Sequence, residues 1–197
     1  MKLSVIMPVR NGEPWILKAI KSIPERPDIE IIVVDDDSED GTLELVETYK
    51  KYTNQNILIL HNDERLRMCG SINKALDVAQ GEFVVQLDCD DYLNTENFNE
   101  LLNLNRTEDL QFFCNRINNG DVWNPEKKKG ICDHICLYKR SFVGDLRHEY
   151  AKFGSGWNFH QSLLKKPHTE SYFNKICYYY NFPREGSNYD LGVKGLL

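Results

Sequence analysis

The chain has 197 residues, of which 41% are hydrophobic, 11% aromatic and 27% charged, and this composition fits one globular domain and excludes disordered and collagen-like chains. Its 24 basic and 30 acidic residues give a net charge of -6, which disfavours a protein that coats nucleic acid. No apolar run approaches the roughly 20 residues of a membrane helix, and the first apolar run is too short for a signal peptide, so we expect a cytoplasmic protein without a membrane segment.

The first ninety residues alternate between strand and helix patterns. Residues 3–7 are a short apolar run, and Ile16, Ala19, Ile20 and Ile23 then follow at the spacing of one helix face. The same alternation continues with predicted strands at 29–34, 57–60 and 83–87 and predicted helices at 43–49 and 72–79. Near-continuous apolar strands separated by helices predict an α/β fold, a doubly wound and mostly parallel sheet with helices on both faces. In such sheets ligands bind at the carboxyl ends of the strands.

The pattern loosens after residue 91. The apolar spacing favours helices at 98–104 and 157–165, strands at 110–114 and 131–138, and a polar loop at 116–130. No linker or internal repeat separates these elements from the first half. We therefore expect a single domain over residues 1–197, with a poorly ordered tail at 186–197.

Two acidic clusters follow strands of the predicted sheet. Residues 35–37 are three aspartates after the second strand, and Asp88, Asp90 and Asp91 come after the fourth. Carboxylates this close repel one another, and a divalent cation or the donor groups of a ligand offset that repulsion. Mg²⁺ and Mn²⁺ prefer oxygen ligands that include substrate phosphates, so the clusters predict a site for a nucleoside diphosphate and a metal. Acidic residues that only cap strand ends and helix starts are the alternative.

Other phosphate-binding signatures are absent from the sequence. There is no G-x-x-x-x-G-K-[ST] loop, and no G-x-G-x-x-G follows the first strand. These absences remove the main support for a P-loop nucleotide hydrolase and for a dinucleotide-dependent dehydrogenase. Phosphate charge must therefore be met by a metal and by basic side chains.

Three segments resemble glycosyltransferase family 2, whose members have the GT-A fold. Residues 4–11 resemble the family's opening strand and loop, and residues 34–42 resemble its V-D-D-G-S-T-D-G-T segment. Residues 73–83 and 87–91 are similar to the helix, strand and D-x-D element that complete its nucleotide-binding half. The resemblance implies a nucleotide-binding half over residues 1–91 and a sugar and acceptor half over residues 92–185.

The resemblance also implies residues that contact the nucleoside. Pro8, Arg10 and Asp36 would line the pocket for the base and ribose, with Asp36 accepting a hydrogen bond from a uracil imide. Arg67 resembles the basic residue that relatives of the spore-coat polysaccharide transferase place against the nucleotide. A solvated arginine at a helix start is the alternative interpretation of Arg67.

A second implied set would hold the diphosphate. Asp88 would contact the ribose or the metal shell, and Asp90 and Asp91 would hold Mn²⁺ or Mg²⁺ on the diphosphate. Residues 180–187 loosely resemble the family's C-terminal Y-R-x-H-x-x-S segment, which would make Arg184 a diphosphate contact.

The general base does not follow from the family motif. Many members carry G-E-D-W where this chain has residues 154–157 and use the Asp as base, but Gly156 occupies that position here. His160 lies one helical turn after Gly156, and since an imidazole ordinarily titrates near neutral pH, we favour this residue as the base. Asp133 and His134 are the other candidates, because the resemblance puts their segment beside the sugar and acceptor. An exposed helix histidine and a structural strand histidine are the respective alternatives.

These features predict a metal-dependent, inverting glycosyltransferase that moves a sugar from a UDP-sugar to an acceptor hydroxyl in polysaccharide or glycoconjugate synthesis. A catalytically silent nucleotide-sugar-binding protein is an alternative, because Gly156 cannot accept a proton. A transferase that acts on hydroxylated DNA bases, with lysines 127–129 on the phosphates, is another. A sugar nucleotidyltransferase is disfavoured, since its glycine-rich opening loop with an arginine is missing after residues 3–7.

Overall fold

The structure is a computed structural model that describes residues 2–118, 120–126, 136–150 and 155–181. The strands are β1 (Leu3–Val9), β2 (Ile29–Asp35), β3 (Asn56–His61), β4 (Phe83–Gln86), β5 (Tyr92–Leu93), β6 (Leu110–Ile117), β7 (Val122–Trp123), β8 (Cys136–Lys139) and β9 (Glu170–Tyr180). The helices are α1 (Ile16–Ser22), α2 (Thr42–Lys50), α3 (Arg67–Val78), α4 (Thr95–Asn103), α5 (Arg140–Val143) and α6 (Ser155–Leu164).

The described strands form one sheet in the order β3-β2-β1-β4-β8-β6-β9-β5, with β7 paired to β6. The first four strands are parallel, and β1 lies between β2 and β4. β2 is buried along its whole length, which is why residues 31–34 form a run of β-branched side chains rather than an alternating pattern. The parallel α/β half of the fold is therefore as predicted.

Helices cover both faces of this sheet. Alternate residues of β1 and β2, such as Val5 and Ile31, pack in a core with α1, α2 and α4, while their neighbours Ile6 and Ile32 pack in a second core with α3 and α6. Successive strand residues point to opposite faces, so one run of apolar residues supplies both cores. Within the described ranges, no helix combines the length and the apolar character that a membrane span requires.

The second half extends the sheet with mixed strand directions. β8 runs antiparallel to β4 and β6, β9 runs parallel to β6, and β5 runs antiparallel to β9. The register between β6 and β9 shifts on either side of Cys114. Such irregularities interrupt the two-residue alternation, and the sequence pattern accordingly did not predict β9. The predicted tail at 186–197 lies outside the described residues.

Candidate active site

The carboxyl ends of β1, β2 and β4 meet at one edge of the sheet. Val9 pairs with Asp35, the amide of Asp36 donates to the Val9 carbonyl at 2.8 Å, and the Leu87 amide donates to the Ile6 carbonyl at 2.9 Å. The ladder therefore continues past the strand ends and brings the loops after the three strands together. Pro8, half-buried and paired with Val34, lies at this edge.

Asp36 is held in one orientation by donors from the segment after β3. It is 4% exposed, and its Oδ1 accepts from Asn62 Nδ2 at 2.8 Å and from the Leu66 amide at 2.7 Å. Asn62 Nδ2 also donates to Ser71 Oγ at 3.0 Å, and Lys74 Nζ donates to Asn62 Oδ1 at 2.8 Å. No donor of the described residues contacts Asp36 Oδ2, so this carboxylate has one oxygen fixed by protein and one available at the edge.

The other two aspartates of the first cluster have their own partners. Asp35 is 1% exposed and its Oδ2 lies 3.0 Å from His61 Nδ1, while Asp37 pairs with Arg10 at 3.6 Å. Protein donors therefore offset the repulsion within residues 35–37. The structure thus supplies protein partners to Asp35 and Asp37 in addition to any cation or ligand that offsets the repulsion.

Arg10 holds the loop after β2. Its guanidinium donates to the carbonyl oxygens of Asp36 and Asp37 and, at 2.6 Å, to Glu39 Oε1. The predicted role of Arg10 in lining the nucleoside pocket is therefore indirect in this structure, because its donors bind the loop that carries Asp36.

The second acidic cluster divides into two environments. Asp88 is half-buried and its Oδ1 accepts from Gln86 Nε2 at 2.7 Å, and Asp90 is also half-buried. Asp91 is 2% exposed, and its two oxygens accept from Tyr178 Oη at 2.6 Å and from the Asn181 amide at 2.8 Å. Burial, together with the charge of Asp88, raises the pKa of Asp91 to about 8.

This geometry disfavours Asp91 as a metal ligand, and the prediction for Asp91 stays a prediction. Both of its carboxylate oxygens accept from protein donors, and its side chain is 2% exposed, so it has little access to an ion at the edge. Asp88 and Asp90 are left as the carboxylates of this cluster that the structure presents at the edge.

Arg67 begins α3 directly after Leu66, whose amide contacts Asp36. Its side chain is exposed, its Nη1 donates to Tyr150 Oη at 3.3 Å, and its guanidinium lies 5.2 Å from the centre of the Tyr150 ring. Its backbone has φ of 61°, a left-handed conformation that is costly for a residue with a Cβ. The structure therefore holds this arginine beside the Asp36 pocket in a strained conformation.

Of the three predicted bases, His160 alone lies within the described residues. His160 is 1% exposed, its Nδ1 lies 3.2 Å from Tyr138 Oη, and its ring packs edge-on against Phe112. The expectation that His160 presents its imidazole to an acceptor is wrong, and so is the alternative of an exposed histidine, because α6 turns this position into the core. Asp133, His134, Arg184 and lysines 127–129 lie outside the described residues.

A small, mostly apolar cleft of about 20 Å³ lies between the sheet and helices α3 and α6. Its walls include Ile72 and Leu76 from α3, and Gly156 and Phe159 from α6. Gln86, which donates to Asp88, and His148 also line it. Asp88 and Asp90 do not line this cleft.

His148, which the sequence did not single out, is firmly placed in that cleft. Its amide donates to Asn73 Oδ1 at 2.8 Å and its carbonyl accepts from Asn73 Nδ2 at 2.9 Å. Its ring stacks on Phe159 with the centres 3.9 Å apart and the planes at 12°. No local motif marks this residue, because its position depends on contacts between α3 and the segment before α6.

Comparison with known proteins gives a consistent family. The sequence model described as Glycosyl transferase family 2 matches residues 4–167. A GalNAc(5)-diNAcBac-PP-undecaprenol beta-1,3-glucosyltransferase of Campylobacter jejuni is 32% identical over 196 residues, which is 95% of this chain and 62% of that protein. The poly(ribitol-phosphate) beta-N-acetylglucosaminyltransferase TarS of Staphylococcus aureus is 36% identical over 108 residues, 51% of this chain and 18% of that protein.

Solved structures show the same fold. The structure of S. aureus TarS residues 1–349 in complex with UDP-GlcNAc matches with a TM-score of 0.84 and 24% identity, over 95% of this chain and 60% of that chain. The mannosyltransferase PcManGT from Pyrobaculum calidifontis, in complex with GDP-Man and Mn²⁺, matches with a TM-score of 0.75 and 20% identity, over 94% of this chain and 58% of that chain. The chain thus spans about three fifths of the length of the C. jejuni relative and of these two solved chains.

Proposed function

The chain belongs to glycosyltransferase family 2 and has the GT-A fold, and we propose that it transfers a sugar from a UDP-sugar to an acceptor hydroxyl, with a divalent metal and with inversion at the anomeric carbon. The observation that carries this proposal is the carboxyl edge of the sheet. There the carboxylate of Asp36, with Oδ1 fixed by two donors, lies two strands from Asp88 and Asp90. The Asp36 carboxylate is suited to accept from an imide N–H, and the carboxylates of Asp88 and Asp90 are suited to a diphosphate with its metal.

The uridine preference is supported by the orientation of Asp36. Donors from Asn62 and Leu66 hold Oδ1, so Oδ2 can accept from an N–H at the edge but has no proton to donate. A uracil base presents such an N–H between two carbonyls. The relative TarS has been solved with UDP-GlcNAc, which agrees with a uridine nucleotide but belongs to that protein.

A divalent metal fits the residues at this edge. Within the described ranges, no cluster of three or more His, Cys, Asp and Glu side chains forms a metal site by itself. A metal held by Asp88 and Asp90 would therefore complete its shell with phosphate oxygens and water, as Mg²⁺ and Mn²⁺ commonly do. When bound, it would neutralise charge on the diphosphate leaving group.

The two halves of the fold have different proposed roles in binding. We assign residues 1–91 to the nucleotide and residues 92–185 to the sugar and acceptor within one catalytic domain. We assign the acceptor to polysaccharide or glycoconjugate synthesis, in keeping with the activities of the C. jejuni and S. aureus relatives. The proposed reaction takes place in the cytoplasm, where nucleotide sugars are available.

A nucleotide-sugar-binding protein without turnover is the second candidate, and Gly156 is the observation that favours it. Both candidates bind the donor, so binding alone does not separate them. Release of UDP in the presence of an acceptor does, because only a transferase breaks the bond between sugar and diphosphate.

The proposal is tested with a panel of nucleotide sugars, with and without Mn²⁺, read by thermal shift and by UDP release with carbohydrate acceptors. A ligand that binds only the folded state raises its stability by mass action, so we expect the largest shift with a UDP-sugar and metal together. Asp36→Asn should abolish the preference for UDP over other nucleotides, since the amide presents a donor to the imide. Asp28→Asn, at the opposite edge of the sheet and paired with Arg26, is the matched control. A wild-type protein without nucleotide preference would overturn the proposal.

A further inference from the structure

We propose that His61 is a positioning residue for nucleoside recognition, which acts through Asp35 on the neighbouring Asp36. The inference rests on the proposed transferase function and deepens it, since it names a residue outside the Asp36 pocket that sets the preference for one base. Neither the sequence motifs nor the family resemblance identifies His61.

The ends of β2 and β3 present two matched pairs of side chains. In the parallel register Asp35 pairs with His61, and His61 Nδ1 lies 3.0 Å from Asp35 Oδ2. One residue further along each chain segment, Asn62 Nδ2 donates to Asp36 Oδ1 at 2.8 Å and also contacts Ser71 in α3. Successive residues of a strand point to opposite faces, so the pair that contains His61 lies on the face away from α3.

Asp35 depends on His61 because its carboxylate is almost fully enclosed. Asp35 is 1% exposed, its Oδ1 has no hydrogen-bond partner among the described residues, and its Oδ2 accepts from the Ser38 amide at 3.3 Å. An ionised carboxylate only accepts, so Nδ1 of His61 carries the proton in the shorter, 3.0 Å contact. A buried carboxylate with too few donors is unstable, so loss of this N–H must be met by protonation of Asp35 or by movement of the chain that carries it.

A change at Asp35 reaches Asp36 by two direct contacts. The oxygen that His61 holds also accepts from the Ser38 amide, so the Asp35 side chain closes the turn that carries Asp36. The Asp35 carbonyl accepts from the Asn62 amide at 2.9 Å, and the Asn62 side chain donates to Asp36. Movement of Asp35 therefore shifts both the turn under Asp36 and the residue that orients the Asp36 carboxylate.

Lys74 holds the backbone of His61 independently of the imidazole. Its Nζ donates to the His61 carbonyl at 2.7 Å and to Asn62 Oδ1 at 2.8 Å. These contacts keep the nitrogen of the Asn62 amide turned toward Asp36. Because they do not involve the ring of His61, which is 44% exposed, a substitution of that ring chiefly alters the contact with Asp35.

Three substitutions of His61 separate the Nδ1 donor from the bulk of the ring. His61→Asn keeps an N–H in the place of Nδ1, His61→Gln moves it to the place of Nε2, and His61→Leu has none. We expect His61→Leu and His61→Gln to reduce the preference for UDP over other nucleoside diphosphates at least about fivefold, and His61→Asn to keep it within about twofold. Calorimetric titration of each nucleotide with Mn²⁺ measures this preference. His168→Leu, which removes a ring whose Nδ1 lies 2.8 Å from the Lys166 carbonyl before β9, is the matched control and should keep the wild-type ranking.

The Asp36→Asn background tests the route of the effect. If His61 acts through Asp36, adding His61→Leu to Asp36→Asn should change the ranking of nucleotides by less than about twofold, because the effects of coupled residues do not add. Urea unfolding of the same variants reports their stability separately, so a general loss of stability is not mistaken for a change in recognition.

Four results would overturn the inference. They are a wild-type ranking in all three His61 variants, an equal loss of affinity for every nucleotide, a His61→Asn protein that loses the preference as fully as His61→Leu, and an additive effect in the Asp36→Asn background. The second pattern is that of a residue with a structural role alone. Failure of the proposed function looks different, because wild type would then show no preference among nucleotides and release no UDP from any donor.

Discussion

Asp90 and Asp91 are adjacent in sequence but differ in what surrounds their carboxylates. Asp90 is half-buried at the carboxyl edge, whereas Asp91 is 2% exposed and accepts from Tyr178 and from the Asn181 amide. Family resemblance treats the run as one metal motif, because a sequence does not show which way each carboxylate turns. In the structure, Asp90 is a candidate metal ligand, whereas Asp91 joins two parts of the fold.

This difference predicts that substitution of Asp90 affects ligand binding, whereas substitution of Asp91 affects stability. Asp90→Asn should weaken Mn²⁺-dependent binding of the UDP-sugar at least about tenfold, roughly 1.4 kcal/mol, with little change in the free energy of unfolding. Asp91→Ala should lower the free energy of unfolding by about 1–3 kcal/mol, because it leaves the Tyr178 hydroxyl and the Asn181 amide without their acceptor. Calorimetric titration and urea unfolding of both variants measure the two effects. An Asp91→Ala protein with wild-type stability and lost metal binding would contradict the assignment.

At the scale of elements, the segment between β3 and α3 determines the geometry of the nucleotide pocket. Asn62 follows β3 directly, and its amide bridges Asp36 after β2 to Ser71 in α3. Lys74, one turn further along α3, donates to the carbonyl of His61 at 2.7 Å and to the side chain of Asn62. The pocket is therefore built by three consecutive elements rather than by one motif.

We predict that Asn62→Ala impairs both the fold and nucleotide recognition. The substitution removes a donor from the buried Asp36 carboxylate, at an expected cost of about 1–3 kcal/mol in the free energy of unfolding, and it frees that carboxylate to rotate. UDP affinity should fall, and the preference for uridine should fall with it. Asn56→Ala, exposed at the other end of β3, is the matched control for chemical denaturation and nucleotide titration. A variant with lower stability but an unchanged nucleotide ranking would argue against a pocket at Asp36.

The sequence was sufficient for the first four strands but not for these contacts. Buried parallel strands such as β2 carry an unmistakable β-branched run, and each helix shows its apolar spacing, so the order of elements followed directly. Asn62 and Lys74 carry no such signal, because their role depends on which elements pack side by side. The same holds for His148, whose position is set by Asn73 in α3 and by Phe159 in α6.

For the molecule as a whole, β9 joins the second half of the chain to the acidic cluster of the first half. Tyr178 lies in β9, is fully buried, and donates to Asp91 while its hydroxyl also accepts from the Asp88 amide at 3.3 Å. The carbonyl of Cys177 accepts from the Asn94 amide at 2.8 Å, just after β5. The loop with Asp88 and Asp90 thus depends on a strand that arrives about ninety residues later in the chain, which local periodicity alone could not predict.

This dependence predicts that a single hydroxyl in β9 affects the metal site. Tyr178→Phe should lower the free energy of unfolding by about 1–3 kcal/mol, since Asp91 Oδ2 and the Asp88 amide both lose their partner in a buried setting. The loop should then order less well, so UDP and Mn²⁺ should bind more weakly, although the removed group itself contacts neither. Tyr179→Phe is the matched control, because the Tyr179 ring stacks on Tyr92 and its hydroxyl has only a 3.4 Å contact with Asn94 among the described residues. Thermal unfolding and UDP titration of the two variants decide the matter: equal behaviour of both would mean that β9 supports the sheet without setting the geometry of the acidic loop.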